Sequence, residues 1–570
     1  MGIPRQEDDV PLENRSGSRG EAGASALRAG LLAMGFSAFT YLTLRGLGQA
    51  HLFGDEFHSV RNLGHSFGEL AGLYDAFGSG LLLPLAQKIA VDLAGAGLWA
   101  YRAPSLLGGF LALLLCYPCA RRLVGPAPAA LVTLALGSSP SFIFYTRYGR
   151  GYALASLFAL FLAYALLRLG EDSSSGRRRL FWAASVAVSG ALLPYAHLFS
   201  ASSALSIGAA GWIGIEARRG TLQHPVPSRR PILLALAAAA LLSVLLHLPA
   251  WETLWDFLDK KALAGAGGEF GPGDVATILY GNRGFGWIAL GALPMALFVL
   301  WRRDPRRAFF LGSAALGPAL VLCVARPPGL AYAYARYLLP SLPFQWMLIA
   351  WLAAYTARIL LKRHATESVT LLGGALLLAA LYFAGPLPRT GRGPFANSNL
   401  ALTPLEAFDA PWPRRSKFYG VMEETREDVT LIEAPELWNR SGLLHRSAWL
   451  QHGKNIVVGF VWEQRPERVP GGPYVDLNDR DALASVQADY LVFHKNIYEE
   501  LTNYWAFVWN QVWPKIENAR SQAFMDAHSQ YGFVKQRFEP LRALENRLRK
   551  DLGLPAFEDH LVVVWDLSRR

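Results

Sequence analysis

Apolar runs of about 20 residues, the length that crosses the hydrocarbon core of a bilayer, recur along this chain. They cover 25–48, 102–121, 127–145, 148–168, 180–197, 199–217, 231–249, 285–301, 308–325, 337–361 and 367–385, and each predicts a helix. Short basic clusters separate them: Arg121-Arg122, Arg177-Arg178-Arg179, Arg218-Arg219 with Arg229-Arg230, Arg302-Arg303 with Arg306-Arg307, and Arg358 with Lys362-Arg363. All of these fall on one side if the N-terminus is cytoplasmic and 49–101 stays outside, as the positive-inside rule requires. One further apolar run, Leu81 to Leu93, carries Gln87, Lys88 and Asp92 and would break this alternation as a span. It predicts a helix lying in the interface. An odd number of spans then leaves the C-terminus outside.

After Gly385 the pattern changes. Residues 386–414 form a Pro/Gly/Arg/Asn linker, and 415–570 alternate short β-like runs with helical stretches at 497–512 and 520–550. The β-like runs are 429–432, 456–461, 490–493 and 561–565. This alternation predicts a soluble α/β domain. Residues 1–24 are polar and Gly/Ser-rich, and predict a disordered cytoplasmic tail. The expected fold class is therefore a polytopic α-helical membrane protein with about 11 transmembrane helices over 25–385, external interfacial helices in 49–101, and a C-terminal soluble α/β domain.

Composition agrees: of 570 residues 52% are hydrophobic and only 17% charged. The net charge of +11 sits in the clusters between spans, which argues against nucleic acid as a partner. Three cysteines exclude a disulfide framework, and Cys116-Tyr117-Pro118-Cys119 lies in an apolar run unsuited to redox or zinc chemistry. In the soluble domain Trp438, Trp449, Trp462, Trp505, Trp509 and Trp513 read mainly as core residues.

The unusual polar residues collect on the external side. The first loop holds Asp55, Glu56, His58, Arg61, His65 and Asp75, and Arg147, Arg150 and Tyr152 mark the junction of the third and fourth helices. Tyr195 and His197 end the fifth, while Arg336 and Tyr337 open the tenth. Guanidinium groups suit a phosphate on a lipid carrier, a carboxylate suits a general base, and tyrosines offer surfaces to a sugar. With no nucleotide-binding motif in the chain, this set points to glycosyl transfer from a lipid-linked donor. A transporter or lipid flippase, or a non-catalytic scaffold with an external binding domain, are the alternatives.

Four segments resemble the bacterial integral-membrane glycosyltransferases of the GT-C fold, a group that includes protein O-mannosyltransferase-like enzymes and aminoarabinose transferases. They are Asp55-Glu56 after the first helix, Tyr101-Arg102-Ala103-Pro104-Ser105-Leu106-Leu107-Gly108, Tyr145-Thr146-Arg147-Tyr148-Gly149-Arg150-Gly151-Tyr152, and Ala335-Arg336-Tyr337-Leu338-Leu339-Pro340. The resemblance implies an inverting transferase of the bacterial inner membrane that uses a polyprenyl-phosphate sugar and a lipid, polymer or protein acceptor. It implies Asp55 as catalytic base with Glu56 supporting it or the nearby architecture. Arg336 and one of Arg147 or Arg150 would meet the lipid phosphate, and Tyr152, Tyr195 and His197 would line the cavity beside Tyr337. The chain departs from the family at Gly78-Ser79-Gly80, where many relatives carry His-Pro-Pro or an acidic-Lys-Pro triplet. No metal ligand is therefore assigned; a divalent ion on Asp75, His58 or His65 stays open.

Overall fold

The computed structural model describes residues 18–44, 62–74, 80–171, 176–216, 230–263, 272–325, 335–360, 416–436, 455–460, 474–495 and 532–568, short breaks inside those ranges excepted. It also describes Leu47, Glu56, Ser59 and Leu371. The first ten expected spans are helical. They are α1 (Ser18–Leu44), α4 (Leu98–Val124), α5 (Pro126–Gly137) with α6 (Pro140–Arg147), α7 (Tyr152–Glu171), α8 (Gly176–Ala196), α9 (Ala201–Glu216), α10 (Arg230–His247), α13 (Arg283–Arg303), α14 (Pro305–Ala325) and α15 (Leu342–Leu360). Between them lie α2 (Phe67–Gly72), α3 (Leu82–Ala94), α11 (Trp251–Leu263) and α12 (Pro272–Tyr280). The span expected at 367–385 falls outside the described residues apart from Leu371. Among the described residues seven helices are singly long and apolar enough to cross a membrane, and the α5–α6 pair makes an eighth. The chain is a multi-pass helical membrane protein.

Two spans differ in detail from the expectation. The run 127–145 is a broken helix: α5 and α6 meet at 55°, with Ser138-Ser139 between them and Pro140 at the first position of α6. Proline there lacks only an N–H that the first helical turn leaves unpaired, so it starts a new helix at no hydrogen-bond cost. The run 231–249 continues through a short 3-10 turn into α11, which buries Leu254 and Phe257 while exposing Trp251 and Trp255. Such an amphipathic helix with outward tryptophans suits a membrane interface. The run Leu81 to Leu93, expected to lie in the interface, forms helix α3, with Lys88 and Asp92 paired at 2.9 Å.

Small residues bring the helices close. A Cβ on Gly109 of α4 would strike the Thr146 side chain of α6, and Ala129 to Leu136 of α5 are all buried. The perimeter is apolar instead: Leu234, Leu241, Phe298 and Leu320 are exposed. Basic residues among the described ones tie helix ends together. Arg122 at the end of α4 pairs with Glu171 at the end of α7. Arg168 lies over the Trp182 ring at the start of α8, and Arg303 of α13 donates to the Tyr355 hydroxyl of α15 at 3.1 Å. Tyr152, His197, Arg336 and Tyr337, four of the residues singled out for chemistry, meet one another.

The C-terminal part holds a six-stranded sheet in the order β3-β2-β1-β4-β6-β5. Its strands are β1 (Thr430–Glu436), β2 (Asn455–Phe460), β3 (Tyr474–Asp476), β4 (Tyr490–His494), β5 (Phe557–Glu558) and β6 (Val562–Asp566). Strands β3, β2, β1 and β4 are parallel, and β6 and β5 continue antiparallel. Successive side chains point to opposite faces. Leu431, Val492, Val562 and Val564 pack under α16 (Lys417–Glu424), while Ile432, Phe493, Val563 and Trp565 pack against Leu544 and Leu548 of α18 (Gly532–Leu552). A short α17 (Arg480–Ser485) precedes β4. The six tryptophans named above lie outside the described residues.

Candidate functional site

The site is built on the elbow Tyr148-Gly149-Arg150-Gly151 between α6 and α7. Glu56 locks that elbow from the first loop. Its carboxylate accepts from Arg102 through Nε at 2.9 Å and Nη2 at 3.0 Å, and from the Gly149 backbone N–H at 2.7 Å. Arg102 donates its remaining nitrogen, Nη1, to the Leu47 carbonyl at 3.0 Å, and both side chains are fully buried. A buried ion pair repays its desolvation only when further hydrogen bonds satisfy both partners, and here they do. Ser105, one turn along α4, donates to the Arg150 carbonyl at 2.8 Å. Glu56 thus ties the first loop to α4 and the elbow; the resemblance implied for it either support of Asp55 or a part in the nearby architecture. Arg102 was absent from the expected site residues, although its Arg-Ala-Pro-Ser segment was the signal that could have placed it there.

Beside the elbow lies a cluster of cations and rings. The His197 ring is 4.9 Å from that of Tyr152 and 4.8 Å from that of Tyr337. Arg336 places its guanidinium 5.7 Å from the Tyr152 ring and 5.6 Å from the Tyr337 ring. Phe199 stacks on Tyr337 at 4.7 Å, and Arg150 is buried on the elbow two residues before Tyr152. Neither ring nitrogen of His197 has a hydrogen-bond partner among the described residues, although the residue is buried. The Tyr74 hydroxyl, which the sequence reading did not single out, is also buried and has no partner among the described residues.

Backbone geometry explains how these residues meet. Helix α8 ends at Ala196, and His197 takes an extended conformation before the turn at Leu198–Ser200. Leu81 donates its N–H to the Tyr195 carbonyl at 3.0 Å, which docks the start of α3 against the same point. Gly80 and Gly151 face the Ala196 carbonyl so closely that a Cβ on either would overlap it. Gly80, part of the departure at 78–80, therefore stands where the backbone needs the space.

Of the expected site residues, the structure brings together Arg150, Tyr152, His197, Arg336 and Tyr337. Arg147 is turned toward α1, donating Nη1 to the Leu42 carbonyl at 3.1 Å. The Tyr195 ring joins Tyr74, Leu81, Leu254 and Phe257, and meets His247 edge-on at 5.2 Å. Asp55, His58, Arg61 and Asp75 lie outside the described residues. Among the described residues no three His, Cys, Asp or Glu side chains converge as metal ligands, and His65 lies 3.9 Å from Glu69.

The fold and this end of the bundle define a class: a polytopic helical membrane protein with a buried, cationic, aromatic-lined cluster at one end. No family model and no curated protein sequence matches the chain. Among solved structures it is similar to ArnT from Cupriavidus metallidurans bound to undecaprenyl phosphate, at 14% identity over 84% of this chain and 94% of that one, with a TM-score of 0.48. It is also similar to the archaeal oligosaccharyltransferase AglB from Archaeoglobus fulgidus in complex with an inhibitory peptide and a dolichol-phosphate, at 10% identity over 83% of this chain and 70% of that one, with a TM-score of 0.46. Likeness at this level carries no conclusion about chemistry, which has to be argued from the side chains themselves.

Proposed function

We propose that the chain is a membrane glycosyltransferase that moves a sugar from a polyprenyl-phosphate donor to an acceptor hydroxyl or amine, with inversion at the anomeric carbon. The observation that supports this reading most is the convergence of Arg336, His197, Tyr152 and Tyr337, with Arg150 buried on the adjoining elbow. Asp55 precedes Glu56 in sequence, and the Glu56 carboxylate accepts from the Gly149 N–H beside Arg150, which supports including Asp55 in the reading. In the proposed reaction the acceptor attacks the anomeric carbon as the bond to the phosphate oxygen breaks. The bonding pair leaves on the phosphate, and the acceptor proton passes to the Asp55 carboxylate. The phosphodiester becomes a monoester and gains negative charge, which the two guanidinium groups meet without rearrangement. They supply the positive charge a metal would bring to the phosphate, so this reading assigns none. Tyr152 and Tyr337 offer ring faces and hydroxyls to the sugar. The site end of the bundle and the C-terminal domain face outward, with the basic clusters on the cytoplasmic side of a bacterial inner membrane.

The test is transfer of labelled sugar from a panel of polyprenyl-phosphate donors in membranes containing wild type or Asp55→Asn. A positioned general base contributes about 10²- to 10⁴-fold, so the variant should insert normally and lose at least two orders of magnitude in rate. Near-normal turnover would remove Asp55 from the mechanism. Donor-independent movement of intact lipid in liposomes, with no new glycosidic bond, would replace the reading with a flippase.

A further inference from the structure

Arg336 and Tyr337 are carried by the six-residue 3-10 turn Arg336–Ser341. A 3-10 run is usually no longer than three or four residues, because its hydrogen bonds are poorly aligned. This one also contains Pro340, which has no N–H to give to the preceding turn. Such a turn needs bracing from outside, and a buried chain of hydroxyls and one amide supplies it. Ser341 donates its hydroxyl to the Leu338 carbonyl at 2.6 Å, and Gln345 Nε2 donates to Ser341 Oγ at 3.1 Å. The same nitrogen donates to the Ala315 carbonyl of α14 at 3.2 Å. Gln345 Oε1 accepts from the Tyr280 hydroxyl of α12 at 2.7 Å. All three side chains are buried, where hydrogen bonds are electrostatically stronger than in water. Helix α12 is itself held. Ser141 of α6, the helix that runs into the elbow, donates to the Ile278 carbonyl, and a Cβ on Gly286 of α13 would strike the Ala276 carbonyl. Helix α12 is therefore bonded both to the helix that leads to Arg150 and, through Gln345, to the turn that carries Arg336. The Tyr280 ring meets Phe285 and Trp346 edge-on at 6.1 and 5.8 Å. Phenylalanine would keep these ring contacts and lose only the bond to Gln345.

We propose that Tyr280 is a positioning residue: acting through Gln345 and Ser341, it fixes the angle at which the turn presents Arg336 to the lipid phosphate. This rests on the glycosyltransferase reading above and adds to it a residue that touches no substrate. Full-length protein in phosphatidylcholine nanodiscs would be titrated with a polyprenyl phosphate and separately with the matching polyprenol. The variants are Tyr280→Phe, Arg336→Gln and the two combined. Side chains joined in one network couple, so Tyr280→Phe should weaken phosphate binding about 3- to 30-fold when Arg336 is present. In the Arg336→Gln background the same change should cost less than about 2-fold, and polyprenol affinity should not move in either. Ser341→Ala cuts the chain at the turn itself and should repeat the pattern, which keeps the test decisive if Tyr280→Phe folds poorly. Equal losses with and without Arg336 would overturn the proposal and leave a network that only stabilises the fold. Equal losses for the two lipids, or unchanged phosphate affinity in both Tyr280→Phe and Ser341→Ala, would overturn it as well. Wild type that binds the two lipids alike would defeat the glycosyltransferase reading and this inference with it, a failure visible before any variant is made.

Discussion

A methyl group on Gly151 would sit 2.2 Å from the Ala196 carbonyl oxygen, and one on Gly80 would sit 2.1 Å from the same atom. Backbone oxygen cannot swing aside as the tip of a lysine can, so the helices themselves must part. Overpacking of this kind costs about 1–3 kcal/mol even in adaptable cores. Gly151→Ala should therefore lower the stability of the detergent-solubilised protein by at least that range in thermal melts. It should also weaken lipid-phosphate binding, because Arg150 is the neighbouring residue and His197 follows Ala196. A variant with wild-type melting and binding would show that the elbow has room the geometry denies it. The departure at 78–80 was readable in sequence only as a missing ligand. Its physical content, a close approach to a carbonyl more than 100 positions away, needs the fold.

At the scale of elements, the Glu56–Arg102 pair joins the first loop, α4 and the elbow. Arg102→Met would leave a fully buried carboxylate without its cation, a change worth about 3–5 kcal/mol of destabilisation. Adding Glu56→Gln should recover much of that loss, since the uncompensated charge is gone, and unfolding curves of the single and double variants would show it as strong non-additivity. Purely additive losses would mean the pair contributes as two separate packing residues. The sequence made the helices legible, because a run of some 20 apolar residues has few other uses. It concealed the break between α5 and α6, because Ser138-Ser139-Pro140 is too short to interrupt an averaged apolar run. The strands were legible as runs buried on both faces. The β1 run ended at Ile432 in the sequence reading because Glu433 follows, but the strand continues to Glu436. Tyr419 donates to the Glu433 carboxylate at 2.8 Å and His494 lies 3.0 Å from it, so a charge can occupy the middle of a strand. The candidate site was legible as a set of residue types at one depth. Which of them meet was not, because no spacing shows that Arg147 turns to the Leu42 carbonyl or that Tyr195 packs with Tyr74, Leu254 and Phe257.

For the whole molecule, the C-terminal sheet carries its own dependence on pH. Glu558 accepts from Arg549 at 2.8 Å and from Lys495 at 3.0 Å, and these bonds hold its carboxyl below the usual range. Burial pushes Asp559 the other way, but the N–H groups of Val562, Leu561 and Lys417 and the Ser416 hydroxyl outweigh it, and its carboxyl is lowered too. A carboxyl lowered in the folded state stabilises it at neutral pH, and that contribution disappears as pH falls through the carboxylate range. Hydrogen exchange on the full chain from pH 7 toward pH 3, corrected for intrinsic rates, should show α16 and the end of α18 losing protection together while the bundle keeps its own. Loss confined to one helix would break the link through β5 and β6. The bundle has a different kind of constraint. Between the residue beside Asp55 and the residue beside Arg150 there is a single 2.7 Å hydrogen bond, from Gly149 to Glu56. In the proposed reaction that bond acts as a ruler: the supports of base and cation cannot be respaced independently, so a descendant of this chain that takes a new acceptor would vary the outer walls of the site and keep this joint.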